Sequence, residues 1–461
     1  MKYLFFFFIF ATLSFGRAFS ILHIDTPVVP FFVTEIFIFI SLVWLMLNPQ
    51  KIRYINESGV SKSFLYPLAI FFLFGYLKLI FGSFANNPFV FRDIVLCFYI
   101  LFLPLSYVFM DNLKQLKLFI GILILSNITA ILIGWIFFLN IYPHNAIVRF
   151  ILMTKLFNLG LCYGVTIAFL VPVYLSLKNN LKKLFIMSML LMNAYMLFIS
   201  AERTLWVAGV SLFMFFCLMY GKRFLKLVIY FSLILSVMLC VSIYSDVARI
   251  KNGYFDSIRG KSRSLVLFLS GKLQWGKERV DQYLTYQFKD STDKEGGDRI
   301  DNQVKSGMDN IVWRLIVWKH SIKFGSTSLL FGKGFGVYPD YKIWGYQKPL
   351  KIGIDSKVIP AHNHLITIFY KMGLFGLVLF LWVNTYVFLY GLRYVNKVEN
   401  GFVKDFLIGT LGAFLFWHVM ALFFDVIDSP PTSIFIWVLM GVIFAVVEID
   451  KKSKSRNLQE A

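Results

Sequence analysis

The amino-acid sequence predicts an all-α polytopic membrane protein with about twelve transmembrane helices. Hydrophobic residues fill 58% of the 461 positions and charged residues only 15%, whereas soluble domains contain about 45–50% and about 25%. The mean hydropathy is +0.70, and apolar stretches of about 20 residues, the length that spans a bilayer, recur along the chain. So few charges could not cover the surface of a soluble protein of this size.

Twelve stretches are predicted to span the membrane. They are residues 3–22, 27–48, 66–84, 89–109, 116–139, 152–177, 184–201, 204–220, 225–244, 364–390, 405–424 and 431–449. The first stretch also resembles a signal peptide, because Lys2 precedes a Phe-rich core, but Arg17 fits a cleavage region poorly and favours a retained helix. The predicted division is spans one to nine in 1–244, a loop in 245–363, spans ten to twelve in 364–449 and a tail in 450–461.

The distribution of cations predicts the orientation of these spans. Alternate short connections and the C-terminal tail carry eighteen Lys and Arg residues, whereas the opposite connections carry five. The positive-inside rule places the first set, and with it both termini, in the cytoplasm. The net charge of +21 therefore reflects membrane topology and contact with anionic lipid, and no nucleic-acid partner is expected.

The connection 245–363 is predicted to be a large, partly helical loop on the outer side. It carries 20 basic and 12 acidic residues, and loops of this length escape the positive-inside rule. A helix is predicted over residues 303–324. Its apolar stripe is formed by Ile311, Leu315, Trp318 and Ile322. Such an amphipathic helix would hold Arg314 near the plane of the lipid headgroups.

Several polar residues fall on the predicted outer face. Arg203 opens span eight after a very short connection, and Arg314 lies on the loop helix. Both guanidinium groups suit bidentate contact with phosphate oxygens. His362 and His364 flank Asn363 at the entrance to span ten, where a histidine can act as a general base near neutral pH or donate hydrogen bonds to phosphate.

Gly332, Gly334 and Gly336 precede these histidines, and spaced glycines allow a close approach of the backbone. No GK[ST] sequence follows them, so the run is not a nucleotide-binding P-loop. The four cysteines lie in apolar runs, and the sequence contains no HExxH motif or Cys/His cluster. Neither a metal site nor another cofactor is therefore predicted.

Other charged residues near the membrane are given structural roles. Glu35 and Lys78, in the outer halves of their spans, are predicted to pair or to face a wet cavity. Considered singly, the residues of the pairs Arg92–Asp93 and Glu202–Arg203 are interpreted as anchors at the membrane interface. His418, alone within span eleven, is predicted to be a structural residue.

Together these residues resemble the O-antigen ligase and polymerase superfamily of polytopic bacterial membrane proteins, most clearly over about 200–380. The resemblance rests on an arginine that opens a span, an Arg-x3-Trp pair followed by Phe-Gly-x-Gly-x-Gly, and a His-Asn-x9-Gly-x-x-Gly pattern. The matching positions are Ser200, Glu202 and Arg203; Arg314 and Trp318; Phe331, Gly332, Gly334 and Gly336; and His362, Asn363, Gly373 and Gly376.

The resemblance implies a GT-C-type glycosyltransferase of the bacterial inner membrane with its active site at the periplasmic face. The donor would be a glycan on undecaprenyl diphosphate, and the acceptor a sugar hydroxyl of the lipid A core. His362 would accept the hydroxyl proton, and Arg203, Arg314 and His364 would bind the diphosphate. Supporting positions would be Asn363, Trp318, Gly332, Gly334, Gly336 and Gly373.

Two alternatives stay open. Arg314 and Gly325 form an Arg-x10-Gly pattern that resembles one of the polymerases, for which the acceptor would be another lipid-linked repeat unit. A polysaccharide transporter or flippase, the alternative from a different class, would require charges at the bilayer midplane and two related halves, and neither is evident.

Overall fold

The computed structural model describes residues 1–20, 22–24, 31–56, 60–81, 89–138, 156–199, 203–229, 314–315, 317–339, 361–424 and 430–460. Most of the predicted loop 245–363, including its polar stretch 289–305, and the charged residues Glu202, Asp425 and Asp428 lie outside these ranges. The α-helices run over Lys2–Phe15, Arg17–Ser20, Val33–Met46, Pro49–Asn56, Lys62–Phe81, Phe89–Phe98, Phe102–Phe109, Leu113–Phe138, Leu156–Ser176, Asn180–Ile199, Arg203–Tyr220, His364–Val395, Gly401–Ala421 and Pro430–Glu460. A 3-10 turn covers Tyr99–Leu101, and residues 222–229 and 317–326 are also helical.

Among the described residues, seven helices are long and apolar enough to cross a membrane. They are Lys62–Ile80, Leu113–Gly134, Leu159–Ser176, Asn180–Phe198, His364–Val395, Gly401–Ala421 and Thr432–Ser455. Four shorter apolar helices lie in the predicted spans one, two, four and eight, and the ninth predicted span falls outside the description from residue 230 onward. The described part agrees with an all-α polytopic membrane protein, whereas the count of about twelve spans and the GT-C type stay predictions.

A two-stranded antiparallel sheet is the one β-structure within the described ranges. His23–Ile24 pairs with Phe31–Phe32, with His23 opposite Phe32. The strands are two residues long and lie in the connection before the helix Val33–Met46. They shape this connection without changing the helical class.

Close packing of the helices depends on small and amide side chains. Helix Leu156–Ser176 lies against Gly401–Ala421, and a Cβ on Gly409 would lie 3.0 Å from the Cα of Phe169. Asn127 and Asn193 exchange amide hydrogen bonds in the interior, at 2.5 and 2.9 Å. Glycines at close contacts and hydrogen bonds between helices are both typical of helix packing in membranes, where apolar burial alone does not favour one helix partner over another.

The three C-terminal helices alternate in direction, which brings the start of His364–Val395 beside the end of Gly401–Ala421. The Asn363 side chain donates to the Leu422 carbonyl at 2.9 Å, and the Trp417 indole donates to the Thr432 carbonyl at 2.7 Å. At the opposite end of the same helices, the Lys454 ammonium donates to the Lys397 carbonyl. We call the end where Asn363 contacts Leu422 the His362 end.

Glu35 and Lys78 have other partners than each other among the described contacts. The Tyr99 hydroxyl donates to Glu35 at 2.9 Å, whereas the Lys78 ammonium lies 3.4 Å from the Gly332 carbonyl and 5.5 Å from the centre of the Phe74 ring. Lys78 therefore contacts the glycine run instead of the carboxylate proposed for it.

Candidate functional site

His362 has an unusual backbone conformation at the His362 end. Its φ of 49° makes it the single non-glycine residue with positive φ among those described, and histidine is one of the few side chains tolerated there. Asn363 follows as the N-cap of His364–Val395, with its side-chain oxygen accepting from the amides of Leu365 and Ile366 at 3.0 and 3.1 Å. Because the Asn363 amide nitrogen also reaches Leu422, the cap joins two helices and fixes the turn that carries His362.

Trp318 connects this turn to the helical residues 317–326. Its indole Nε1 donates to the Ala361 carbonyl at 2.8 Å, and its ring lies 6.3 Å from that of Phe423. Arg314 precedes Trp318 by four residues, a spacing that puts two side chains on one face of a helix. The Arg-x3-Trp pair is thereby tied to the residue next to His362.

The buried face of residues 317–326 differs from the predicted apolar stripe. Ile322 of the predicted stripe is 47% exposed, whereas Ser321 beside it is fully buried. Gly325 is buried as well, and a Cβ there would lie 2.8 Å from the Phe369 ring. Small residues face the neighbouring helix because they allow close approach, while exposed isoleucine is suited to a lipid environment.

Residues 328–338, which we call the glycine loop, pack against an interruption in the helix His364–Val395. The interruption is at Gly373, whose φ of 71° and ψ of −171° are not helical. A Cβ on Gly332 would overlap the backbone nitrogen of Gly373, and a Cβ on Gly373 would overlap the Leu330 carbonyl. Glycine is therefore required on both sides of this contact.

The glycine loop supplies hydrogen-bond partners for the backbone groups that the interruption releases. The Lys333 and Gly334 amides donate to the carbonyls of Tyr370 and Lys371 at 2.7 and 3.0 Å. In the opposite direction, the amides of Leu374 and Phe375 donate to the carbonyls of Leu329 and Leu330 at 2.8 and 3.1 Å. Such exchange lets non-helical backbone lie at membrane depth, where unpaired polar groups are costly. The glycines of this loop thus allow the backbone to pack against, and hydrogen-bond with, the helix His364–Val395 around Gly373.

A buried ion pair lies beneath the glycine loop. The Lys371 ammonium is 2.7 Å from Asp93 Oδ1, and the two side chains are 1% and 0% exposed. Asp93 Oδ1 also accepts from the Tyr338 hydroxyl at 2.6 Å, and Oδ2 from the Gly336 amide at 2.7 Å. The interpretation of Asp93 as an interface anchor was wrong, because its carboxylate is enclosed by the glycine loop and the long helix.

Lys371 was not singled out from the sequence. Asp93 and Lys371 are 278 positions apart, and no pattern in the sequence predicts that they pair. A usable signal was nevertheless present. Both charges fall inside apolar helical stretches, where an ionisable side chain is by default part of a functional or structural network.

His364 lies deeper than His362. It is 2% exposed, and its ring centre is 5.7 Å from that of Phe380 and 5.8 Å from those of Trp417 and His418. The diphosphate contact of His364 stays a prediction, and the enclosure of its imidazole favours a role in shaping the His362 turn. His418, predicted to be structural, lies in the same cluster, 4.5 Å from the Phe414 ring.

The structure places the two predicted phosphate ligands on separate elements. Arg203 begins the helix Arg203–Tyr220, and the Trp206 indole of this helix donates to the Leu197 carbonyl of the helix Asn180–Ile199 at 3.1 Å. Arg314 is half-buried beside the helical residues 317–326. Arg314 is thus connected to the His362 turn through Trp318, whereas the Arg203 side chain lies outside the described atoms.

His320 lies on the same helical segment as Trp318. Burial, followed by the neighbouring charges of Lys323 and Lys319, lowers the pKa of His320 below its usual 6.5. It is therefore neutral at about pH 7. Within the ranges that the structure describes, no group of three or more His, Cys, Asp and Glu side chains could hold a metal ion.

The region that carries most of these contacts resembles a known protein family. Residues 186–381 match the family model described as O-antigen ligase. No curated protein matches the chain at a significant level. The matched region contains Arg203, Arg314, the glycine loop, His362 and Gly373, and members of the family are membrane glycosyltransferase-like enzymes. The match over residues 186–381 supports membership of the O-antigen ligase superfamily.

Proposed function

We propose that the protein is an O-antigen ligase-like glycosyltransferase that moves a glycan from undecaprenyl diphosphate to a sugar hydroxyl of the lipid A core. The observation that carries the proposal is the His362 turn. His362 is held in a left-handed conformation by the Asn363 cap, and Trp318, four residues after Arg314, donates a hydrogen bond to this turn. Unusual backbone conformations held by their surroundings cluster at functional sites.

In the proposed reaction the acceptor hydroxyl attacks the sugar C1 on the side opposite the diphosphate. His362 takes the hydroxyl proton as the new C1–O bond forms, and the old C1–O bond breaks with its electron pair leaving on undecaprenyl diphosphate. The configuration at C1 is inverted. Arg203 and Arg314 bind the diphosphate, where they stabilise the negative charge that grows in the transition state. The activated leaving group supplies the driving force, so the reaction uses no nucleotide or metal.

The proposed location is the bacterial inner membrane, with the His362 end at the periplasmic face and both termini in the cytoplasm. The positive-inside distribution of Lys and Arg supports this orientation. Lipid-linked donor and lipid A acceptor would both be delivered to that face. The acceptor would approach His362, and the donor diphosphate would lie at the arginines.

A polymerase of the same superfamily is the second candidate. The observation that favours it is the Arg-x10-Gly spacing of Arg314 and Gly325, and its acceptor would be another lipid-linked repeat unit. The lipopolysaccharide ladder of a deletion strain separates the two. Loss of a ligase leaves bare core and accumulated lipid-linked polymer, whereas loss of a polymerase leaves core capped by a single repeat. An unchanged ladder contradicts both for that polysaccharide.

The assignment of the general base is tested with His362→Asn, since asparagine tolerates positive φ but does not accept the proton. We expect the rate of transfer in membranes to fall by about 10²–10⁴-fold without loss of folded protein. His320→Asn is the matched control, because His320 lies on the neighbouring helical segment and has no role in the proposed reaction. Full activity of His362→Asn would contradict the proposed role.

A further inference from the structure

Asp93 receives contacts from two parts of the family domain that the proposed mechanism does not use. Lys371 comes from the helix His364–Val395, whereas Gly336 and Tyr338 come from the glycine loop. Asp93 itself lies on Phe89–Phe98, outside the matched residues 186–381. One carboxylate therefore joins the N-terminal helices to both elements that meet at the Gly373 interruption.

The chemistry of this contact favours a carboxylate at position 93. A fully buried charge is costly unless it is paired and its remaining hydrogen-bonding capacity is used. Lys371 supplies the opposite charge, and the Gly336 amide and Tyr338 hydroxyl donate to the same carboxylate. The Lys371 ammonium also lies 5.1 Å from the centre of the Tyr338 ring. Displacement of the glycine loop would leave a buried charge without these donors, so the loop has one strongly favoured position.

The position of the glycine loop affects Arg314 and the helical residues 317–326, which together we call the Arg314 segment. The helical residues 317–326 lie between two attachments, the Trp318 hydrogen bond to Ala361 and the glycine loop that follows them. Lys333 of the loop contacts this helix as well, with its ammonium 5.3 Å from the Phe324 ring. A change in loop position would therefore move the helix that follows Arg314 relative to the His362 turn.

We propose that Asp93 is a positioning residue which, by holding the glycine loop through Gly336 and Tyr338, sets the Arg314 segment relative to His362. The effect on catalysis rests on the proposed function, because it assumes that Arg314 binds the donor diphosphate. The effect on the loop does not depend on it. Misplacement of a binding group by about 1 Å can cost about 100-fold in rate, so a fixed loop position has a direct catalytic consequence.

The experiment measures amide hydrogen exchange and transfer kinetics on the full chain in lipid nanodiscs. Tyr338→Phe removes one donor and leaves the Asp93–Lys371 pair in place. The matched control is Tyr394→Phe, because the Tyr394 hydroxyl donates to Asp450 at 3.1 Å near the opposite end of the long helix. We expect exchange of residues 332–338 to quicken by about threefold or more in Tyr338→Phe, and by about tenfold or more in Asp93→Asn. The control should leave this segment unchanged.

The kinetic part separates positioning from a general loss of folded enzyme. A misplaced Arg314 should raise the KM for the lipid-linked donor, by about tenfold in Tyr338→Phe, and leave the acceptor KM unaltered. Loss of folded protein would lower the rate and leave both KM values unchanged. Should Asp93→Asn fail to fold, because the buried Lys371 charge is left alone, Tyr338→Phe still decides the question.

The double variant Asp93→Lys with Lys371→Asp separates the ion pair from the loop contacts. It retains opposite charges but puts a donor where Gly336 and Tyr338 need an acceptor. We expect thermal stability to recover more than exchange protection or donor KM. Unchanged exchange in Tyr338→Phe and Asp93→Asn overturns the proposal, as does quickened exchange with a wild-type donor KM. If the wild-type chain transfers no glycan, the proposed function fails while the exchange data still test the loop contact.

Discussion

The indole of Trp318 donates a hydrogen bond of 2.8 Å to the carbonyl of Ala361, the residue that precedes His362. Two motifs separated by 43 positions therefore meet through one side chain and one backbone oxygen. The contact explains why a tryptophan four residues after Arg314 belongs with the His-Asn pair. It also gives a direct way to test the connection.

Replacement of Trp318 by phenylalanine should reduce transfer activity more than stability. The aromatic packing is largely retained, but the donor to Ala361 is lost, at a cost of about 1 kcal/mol. Trp382→Phe is the matched control, because its indole donates to the Ser63 carbonyl at 3.0 Å on an exposed surface. Transfer rates and thermal unfolding of both variants check the prediction. Equal loss of activity in the two would contradict a specific role for Trp318.

The asparagine caps offer a second comparison. Asn363 and Asn400 each accept two backbone hydrogen bonds at the start of their helices. Either Asn→Ala change should cost about 1 kcal/mol of stability, but only Asn363→Ala also releases Leu422 and the His362 turn. We expect Asn363→Ala to lower the melting temperature further than Asn400→Ala, because it also loses the hydrogen bond to Leu422, and we expect a loss of transfer activity in Asn363→Ala alone. Activity lost to the same degree in Asn400→Ala would indicate a general effect of capping.

Gly373→Ala should be strongly destabilising. Gly373 has a φ of 71° and a ψ of −171°, a backbone region that is almost restricted to glycine and costs an alanine about 1–3 kcal/mol. The added methyl group would also overlap the Leu330 carbonyl, and overpacking typically costs about 1–3 kcal/mol more. Gly121→Ala is the control, because a Cβ there meets nothing within 4 Å. Yield of folded protein and thermal unfolding in detergent measure the difference. Normal stability of Gly373→Ala would show that the interruption tolerates a side chain.

A pH effect is expected at the opposite end of the protein from the site. Asp111 accepts hydrogen bonds from Lys2 and Lys51 at 2.9 and 3.1 Å. Burial raises the pKa of Asp111, but these two ammonium groups outweigh it and hold the pKa below its usual 3.8. The carboxylate thus stabilises the fold above its unfolded-state pKa, and this stabilisation disappears as the pH falls through the lowered value.

Thermal unfolding of wild type and Asp111→Asn from about pH 6 to about pH 2 measures this contribution. The difference in melting temperature between the two proteins should be constant near the upper pH limit and should disappear near the lower pH limit. Glu399→Gln is the control, because its carboxylate is 82% exposed beside Lys454 and exposed pairs contribute little. A gap for Asp111→Asn that does not change with pH would contradict the ion-pair explanation.

The helices were predictable because each carries its own signal. An apolar stretch of sufficient length identifies itself without reference to the rest of the chain, and most of the predicted spans coincide with apolar helices. Asp93 and Lys371 each stand out as a charge in an apolar stretch, but their pairing carries no local signal, because the two residues come from distant helices that only the fold brings together. The buried face at Ser321 and Gly325 was missed for a related reason. A hydrophobic stripe predicts burial in water, whereas in a membrane small residues face protein and isoleucine can face lipid.

The candidate site was predictable as a set of residues more than as an arrangement. Arg203, Arg314 and His362 were singled out through short patterns and lie within the matched family region, while their roles stay predictions. The use of the glycines was not foreseen. Their amides donate to helix carbonyls and to Asp93, because the backbone released at Gly373 needs partners that only tertiary contact provides.

The interruption at Gly373 also constrains the order in which the chain is assembled. Its released backbone groups find their partners in the glycine loop, which precedes the helix in the chain and therefore leaves the ribosome first. The helix can then enter the bilayer beside partners already made. If those partners came from a later segment, the bare peptide groups would have to wait in hydrocarbon, at a cost of several kcal/mol each. The position of the loop before the helix thus makes an interrupted span compatible with stepwise insertion from the N-terminus.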